Sequence, residues 1–301
     1  LLLSPPHPYE FKRLVDVLSR FAVRPHFCLT RAAYWRGLRI GDAAGAVRLS
    51  DEAGCLRVEL HGWHTPPNPL GLERAVRALA GLHLDLAPFY ARARADAALW
   101  AWLEPLAGLP LFSSADLYDA LTATIIEQHI SWTAALGVQA RFAALFGAPI
   151  STPAGIVYAP PAPAQIAALS RADLAPLKLT TARLDLLIRA SQLIADGAFD
   201  GWQQADPQAL YAALLRVKGI GHWTATVTVG RALGVQPHLH DNDAALQAAV
   251  NAFFYQRAGR ASLDETRAAF APYGTDAPLI AQLLMLRWVI ARYAPQPFDV
   301  E

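Results

Sequence analysis

Apolar positions follow two different rhythms along the chain. In the first sixty residues short runs are separated by glycine-bearing polar turns: YWRGLRI at 34–40, AVRLS at 46–50 and CLRVELH at 55–61. In the last run Leu56, Val58 and Leu60 alternate with Arg57, Glu59 and His61, the period of a half-buried strand. The pattern predicts an antiparallel sheet in an α+β N-terminal region. HTPPNPLG (64–71), rich in proline, reads as a linker. Beyond it the rhythm is helical. Asp116 or Ser114 can cap a helix in which Leu117, Leu121 and Ile125 recur every four residues. Ser131 can cap the next, with Val138, Phe142, Leu145 and Phe146 inward and Gly147 as its stop. Residues 148–163 hold five prolines and read as loop. Thr181 to Ala195 is amphipathic and ends before Gly197, and Asp206-Pro207 is an N-cap acid with proline at the first helical position. No internal repeat is visible.

Composition narrows the classes. With 301 residues, 54% hydrophobic and 17% charged, the chain suits one large or two ordinary domains and is too apolar for intrinsic disorder. No apolar run approaches the roughly 18 residues that cross a bilayer. The first residues, LLLSPPHPYEF, lack a basic leader and make a poor signal peptide. A formal charge of +1 neither demands nor excludes nucleic acid. Cys28 and Cys55 cannot build a four-cysteine metal cluster; one disulfide is possible, but two thiols fit a reducing cytosol better. Lysine is scarce, with only Lys12, Lys178 and Lys218, so Schiff-base chemistry has few candidates.

LLRVKGIGHWTATVTVGRALG (214–234) is the most informative stretch. A helix from Pro207 to about Arg216 runs into VKGIG, and a second extends from about His222 to Leu233, closed by Gly234. Gly219 and Gly221 straddle Ile220, which can plug between the helices. Glycines allow positive φ and close backbone approach, so successive N–H groups can point outward at the second helix's N-terminus, an anion site suited to phosphate. Charge agrees: no Asp or Glu occurs from Pro207 to His240, whereas Arg216, Lys218 and Arg231 are cationic. Gln128 to Ala172 is also acid-free. An ordinary tight αα turn is the plainer alternative. The stretch ends in HLHDNDAALQ, where Asp241 or Asp243 can cap the following helix; a carboxylate there could also face a nucleotide held by the hairpin.

VKGIGHWTA (217–225), followed by an aspartate twenty residues after its tryptophan, resembles the helix-hairpin-helix DNA glycosylases. More closely it resembles the bacterial 3-methyladenine DNA glycosylase II branch. IIEQHIS (125–131) is similar to the family's helix–wedge–helix segment, and sheet, wedge, hairpin and acid follow in the family's order. The resemblance implies an α+β fold: an N-terminal antiparallel β-sheet domain with linker (1–70), then an all-α helix-hairpin-helix glycosylase core (71–301) with its hairpin at 207–233. It implies a monofunctional DNA glycosylase acting on alkylated purines in double-stranded DNA, cytoplasmic, monomeric, and without cofactor, metal or membrane. Asp243 would be the catalytic acid; Asp241 fits a shorter spacing. Lyase-active relatives carry a lysine where this chain has Trp223, a flat surface for a cationic base. Trp288 would be a further pocket aromatic. Lys218, Gly219, Gly221, His222, Thr224, Gln128 and His129 would contact DNA, His129 as the wedge or else as a buried or capping histidine. Glu127 departs from the small residue common in the family. The alternatives are a glycosylase for deaminated or oxidised purines and a non-catalytic hairpin DNA-binding protein.

Overall fold

The computed structural model describes residues 1–6, 8–20 and 26–295. Near its start lie strand β1 (Leu2–Leu3), helix α1 (Phe11–Leu18) and strands β2 (Phe27–Leu29), β3 (Tyr34–Ile40), β4 (Ala43–Glu52) and β5 (Cys55–His61). They form one five-stranded antiparallel sheet in the order β1-β5-β4-β3-β2. The period-two runs are therefore strands, as their alternation predicts. Cys28 on β2 and Cys55 on β5 are not joined in a disulfide. Two strands separate them, so a disulfide has no geometry.

Both faces of the sheet are covered. On one, Tyr34, Leu38, Val47, Leu49, Leu56 and Val58 pack against Leu14, Val15 and Leu18 of α1 and against Leu72, Val76 and Leu79 of α2 (Pro69–Leu79). The stretch read as linker thus already contains a helix start: Asn68 accepts from the Gly71 N–H at 2.9 Å, with proline at the first helical position. On the other face Trp35 and Ala46 pack against Ile150, Val157 and Ala159.

Those last residues correct the expected loop at 148–163 and the all-α core. Strands β6 (Ala148–Thr152) and β7 (Gly155–Ala159) form a hairpin. A two-stranded ribbon leaves one hydrogen-bonding edge of each strand free, so Pro149 fits within β6 and Pro153 within the turn. The hairpin backbone lies directly over Gly37 of β3, where any Cβ would strike the Tyr158 carbonyl. Packing supplied by the sheet outweighs the local proline signal.

The remainder is helical: α3 (Ala87–Ala93), α4 (Ala97–Leu103), α5 (Leu117–Glu127), α6 (Trp132–Phe146), α7 (Pro163–Ala167), α8 (Arg171–Leu174), α9 (Thr181–Ala195), α10 (Pro207–Leu215), α11 (His222–Leu233), α12 (Ala244–Phe253), α13 (Leu263–Phe270) and α14 (Ala277–Arg292). Asp116, Ser131 and Asp206 cap α5, α6 and α10 by accepting backbone N–H groups. Leu145 is the exception to the inward face expected for α6: it is 51% exposed, while Val138 and Phe142 are buried. The helices build two apolar clusters. One joins α5, α6, α9, α10 and α11; the other joins α3, α4, α12, α13 and α14. Among the described residues no helix is long and apolar enough to cross a membrane.

Candidate functional site

The seam between the two helical clusters is where the sequence-predicted residues meet. α10 and α11 form the hairpin, with Ile220 buried in the core beside Leu210, Leu214 and Ala225, so the expected plug is in place. Gly219 has φ +100°, a conformation glycine adopts without cost, and it lies against Leu186 of α9. Gly221 has φ −94°, so its value is not positive φ; a Cβ there would meet nothing within 4 Å. No side chain caps α11, so its first N–H groups face outward together with the exposed Lys218 and His222. Arg189 of α9 donates to the Lys218 carbonyl at 2.9 Å and places another guanidinium at the turn.

Asp243 caps α12. Its Oδ1 accepts the Ala245 and Leu246 N–H groups at 2.8 and 2.9 Å, while its Oδ2 accepts the Trp223 indole N–H at 2.7 Å. Capping and facing the hairpin are therefore one residue's work. Trp223 lies in the first turn of α11 and Asp243 on α12, so this bond spans the seam. Asp241 is engaged elsewhere: Arg267 of α13 donates to its Oδ2 at 2.6 Å.

The turn between α5 and α6 packs against the same hairpin. Gln128 donates to Thr224 Oγ1 at 2.8 Å and to the Gly219 carbonyl at 3.4 Å. Thr224 is 3% exposed, so its side chain braces the turn from inside and only its backbone N–H lies at the helix terminus. His129 is exposed and holds φ +55°, a left-handed conformation that a residue with a Cβ adopts at a cost. Capping belongs to Ser131, so His129 is neither buried nor a cap. Glu127 is balanced by Arg231, with contacts of 2.8 and 2.9 Å. Burial disfavours the Arg231 charge, but Glu127 more than offsets it and holds its pKa above the ordinary value. Arg231 is thus an internal partner rather than a free cation of the hairpin.

Two further aromatic positions lie on α6 and α14. Trp132, at the first position of α6 and 38% exposed, stacks on Tyr293 with ring centroids 6.4 Å apart. Its position directly after the Ser131 cap was the only sequence signal for it. Trp288 packs half-buried on the α12–α14 cluster, with the Arg292 guanidinium 4.9 Å from its ring centre. Among the described residues no group of three or more His, Cys, Asp or Glu could hold a metal ion.

Comparison with solved structures extends over nearly the whole molecule. A 3-methyladenine DNA-glycosylase from Archaeoglobus fulgidus superposes with a TM-score of 0.80 at 17% identity, covering 97% of this chain and 98% of that one. The chain has the fold of the helix-hairpin-helix DNA glycosylases, the superfamily its hairpin resembles. An 8-oxoguanine glycosylase/lyase of Clostridium acetobutylicum, solved with double-stranded DNA, shares this glycosylase fold at TM-score 0.67 and 14% identity, covering 93% and 91% of the two chains. In sequence, a DNA-3-methyladenine glycosylase of Bacillus subtilis (strain 168) is 29% identical over 151 residues, 50% of each protein. The chain spans about half the length of the curated relatives it matches. No family model matches it.

Proposed function

We propose that this chain is a monofunctional DNA glycosylase that hydrolyses the N-glycosidic bond of alkylated purines in duplex DNA, with Asp243 as its carboxylate, acting as a monomer. The observation that carries the reading is the doubly anchored Asp243: two amides of α12 hold one oxygen, and the Trp223 indole orients the other.

The hairpin amides and Lys218 grip a phosphate, and that contact carries no sequence information. His129, preset in its left-handed turn and braced through Gln128, enters the gap left by the extruded nucleotide. Trp223 and Trp132 offer aromatic faces to an electron-poor base. As the C1′–N bond breaks, its electron pair leaves with the purine and positive charge grows on the sugar. The Asp243 carboxylate stabilises that charge. Water then bonds to C1′ and gives its proton to Asp243. A base already carrying a methyl group leaves as a neutral purine, so it needs no strong acid beside it. Trp223 also occupies the place where a Schiff-base route requires an amine, which supports hydrolysis without strand cleavage.

The test is release of free base from duplexes carrying 3-methyladenine, 7-methylguanine, hypoxanthine or 8-oxoguanine. Wild-type protein should release the alkylated bases, Asp243→Asn should lose about 10³-fold in rate, and Asp241→Asn should stay near wild type. Borohydride should trap no covalent adduct. Release of 8-oxoguanine with efficient trapping would overturn the assignment.

A further inference from the structure

A run of aromatic and imidazole rings leads from the hairpin to Asp243. His222 opens α11, and the Tyr211 hydroxyl of α10 lies 2.5 Å from its Nδ1. The Tyr211 ring meets His238 edge-on at 4.7 Å, and His238 Nε2 lies 3.1 Å from the Thr226 hydroxyl. His238 and His240 have ring centres 6.5 Å apart, and the His240 carbonyl accepts the Asp243 N–H at 3.1 Å. The loop that carries them is fastened from three helices: Gln208 of α10 donates to the Pro237 carbonyl, Gln282 of α14 accepts from the Gln236 N–H, and Arg267 of α13 holds Asp241.

We propose that Tyr211, His222, His238 and His240 are a second contact for the DNA backbone, bridging the phosphate held by the hairpin and the sugar at Asp243. This rests on the glycosylase reading and adds the track by which the strand passes between its two grips. The carboxylates facing the rings are Asp241 and Asp243, and both have partners: Arg267 for the first, Trp223 and the α12 amides for the second. Among the described residues, Tyr211 faces His222 and His238, and the nearest cation, Arg267, is taken up by Asp241. Protonated imidazoles here thus have room for an external anion, and the phosphodiester is the anion that must pass. Burial lowers the pKa of His238 and of His240; their neighbouring histidines lower both further, while Asp241 acts oppositely on each and Asp243 on His240. Both are therefore mostly neutral at pH 7 in the free protein. A phosphate favours their charged forms, so binding should take up protons.

Fluorescence anisotropy with an undamaged labelled duplex, from pH 5.5 to 8.0 at two salt concentrations, tests this on the full chain. Wild-type affinity should rise about tenfold from pH 7.5 to 5.5, with a salt dependence steeper by about one to two released counterions. The double variant His222→Gln, His240→Gln keeps the His238–Thr226 bond and should lose most of that rise. The single variant His238→Gln should lose part of it. A wild type whose affinity is flat with pH, or a double variant as pH-dependent as wild type, would overturn the ring contact while leaving duplex binding and base release intact. Absence of duplex binding at every pH would instead overturn the glycosylase reading, and this inference with it.

Discussion

The indole N–H of Trp223 donates to Asp243 Oδ2 at 2.7 Å, tying the first turn of one helix to the cap of another across the seam of the helical core. A hydrogen bond to a charged group contributes about 1.5–3 kcal/mol. Trp223→Phe keeps a flat apolar ring and removes only the donor. Single-turnover release of an alkylated base should therefore fall about 10- to 100-fold, while affinity for undamaged duplex stays within about twofold of wild type. A rate equal to wild type would show that the indole acts through its ring face alone.

His129 pays locally for its position. A left-handed conformation costs a residue with a Cβ about 1–2 kcal/mol, and the exposed imidazole makes no cap that would offset it. His129→Gly should leave the protein as stable as wild type or up to about 1 kcal/mol more stable in urea unfolding. The same variant should excise base at least about tenfold more slowly, since nothing then fills the gap beside the flipped nucleotide. A variant both less stable and fully active would assign His129 to the fold instead.

Elements were legible where their signal is local. Asp206-Pro207 announced α10, and Gly219 and Gly221 framed the buried Ile220. Asn68-Pro69 carries the same cap-plus-proline signature, but it sits inside a proline run and reads as linker. The β6–β7 hairpin was hidden because its stability comes from a surface more than a hundred residues earlier, where Gly37 lets its backbone approach. In the candidate site, residue types were legible and partners were not. Arg231 looks like a hairpin cation until Glu127, 104 positions away, neutralises it. Thr224 looks like a phosphate ligand until Gln128 claims its hydroxyl.

Asp116 and Asp119 open α5, the helix that ends at the turn carrying Gln128 and His129. Arg36 of β3 pairs with Asp119 at 2.8 Å and keeps it ionised, its pKa lowered despite burial. Asp116 goes the other way: burial first, and then the Asp119 charge, push its pKa up to about 6. The unfolded value is lower, so the folded state is penalised above pH 6 and the penalty is relieved as pH falls toward 4. Asn caps helices about as well as Asp. Asp116→Asn should accordingly stabilise the protein by about 1 kcal/mol more at pH 8 than at pH 5, when chemical unfolding of variant and wild type is compared at each pH. Asp119 and Arg36 are present in both proteins and cancel from that difference. An equal effect at both pH values would mean that Asp116 is not strained by its charge.

The two hairpin glycines should separate folding from binding. At Gly219 φ is +100°, and an added Cβ would also press on Leu186 at 3.3 Å. Gly219→Ala should cost about 1–2 kcal/mol of stability, and DNA affinity should fall as the turn distorts. At Gly221 φ is −94° and the space beyond the backbone is open. Gly221 is the N-cap of α11, where alanine is disfavoured against glycine, and this opposes the gain from a less flexible unfolded chain, so Gly221→Ala should shift stability by no more than about 1 kcal/mol. Its new methyl group would stand in front of the outward N–H groups of α11, where a phosphate must come within hydrogen-bond distance. Duplex affinity should drop about tenfold or more, roughly one phosphate contact, equally for undamaged and alkylated DNA. Thermal unfolding and salt titrations of both variants give the answer. If Gly221→Ala binds duplex as tightly as wild type, the open space at that position does not receive a phosphate.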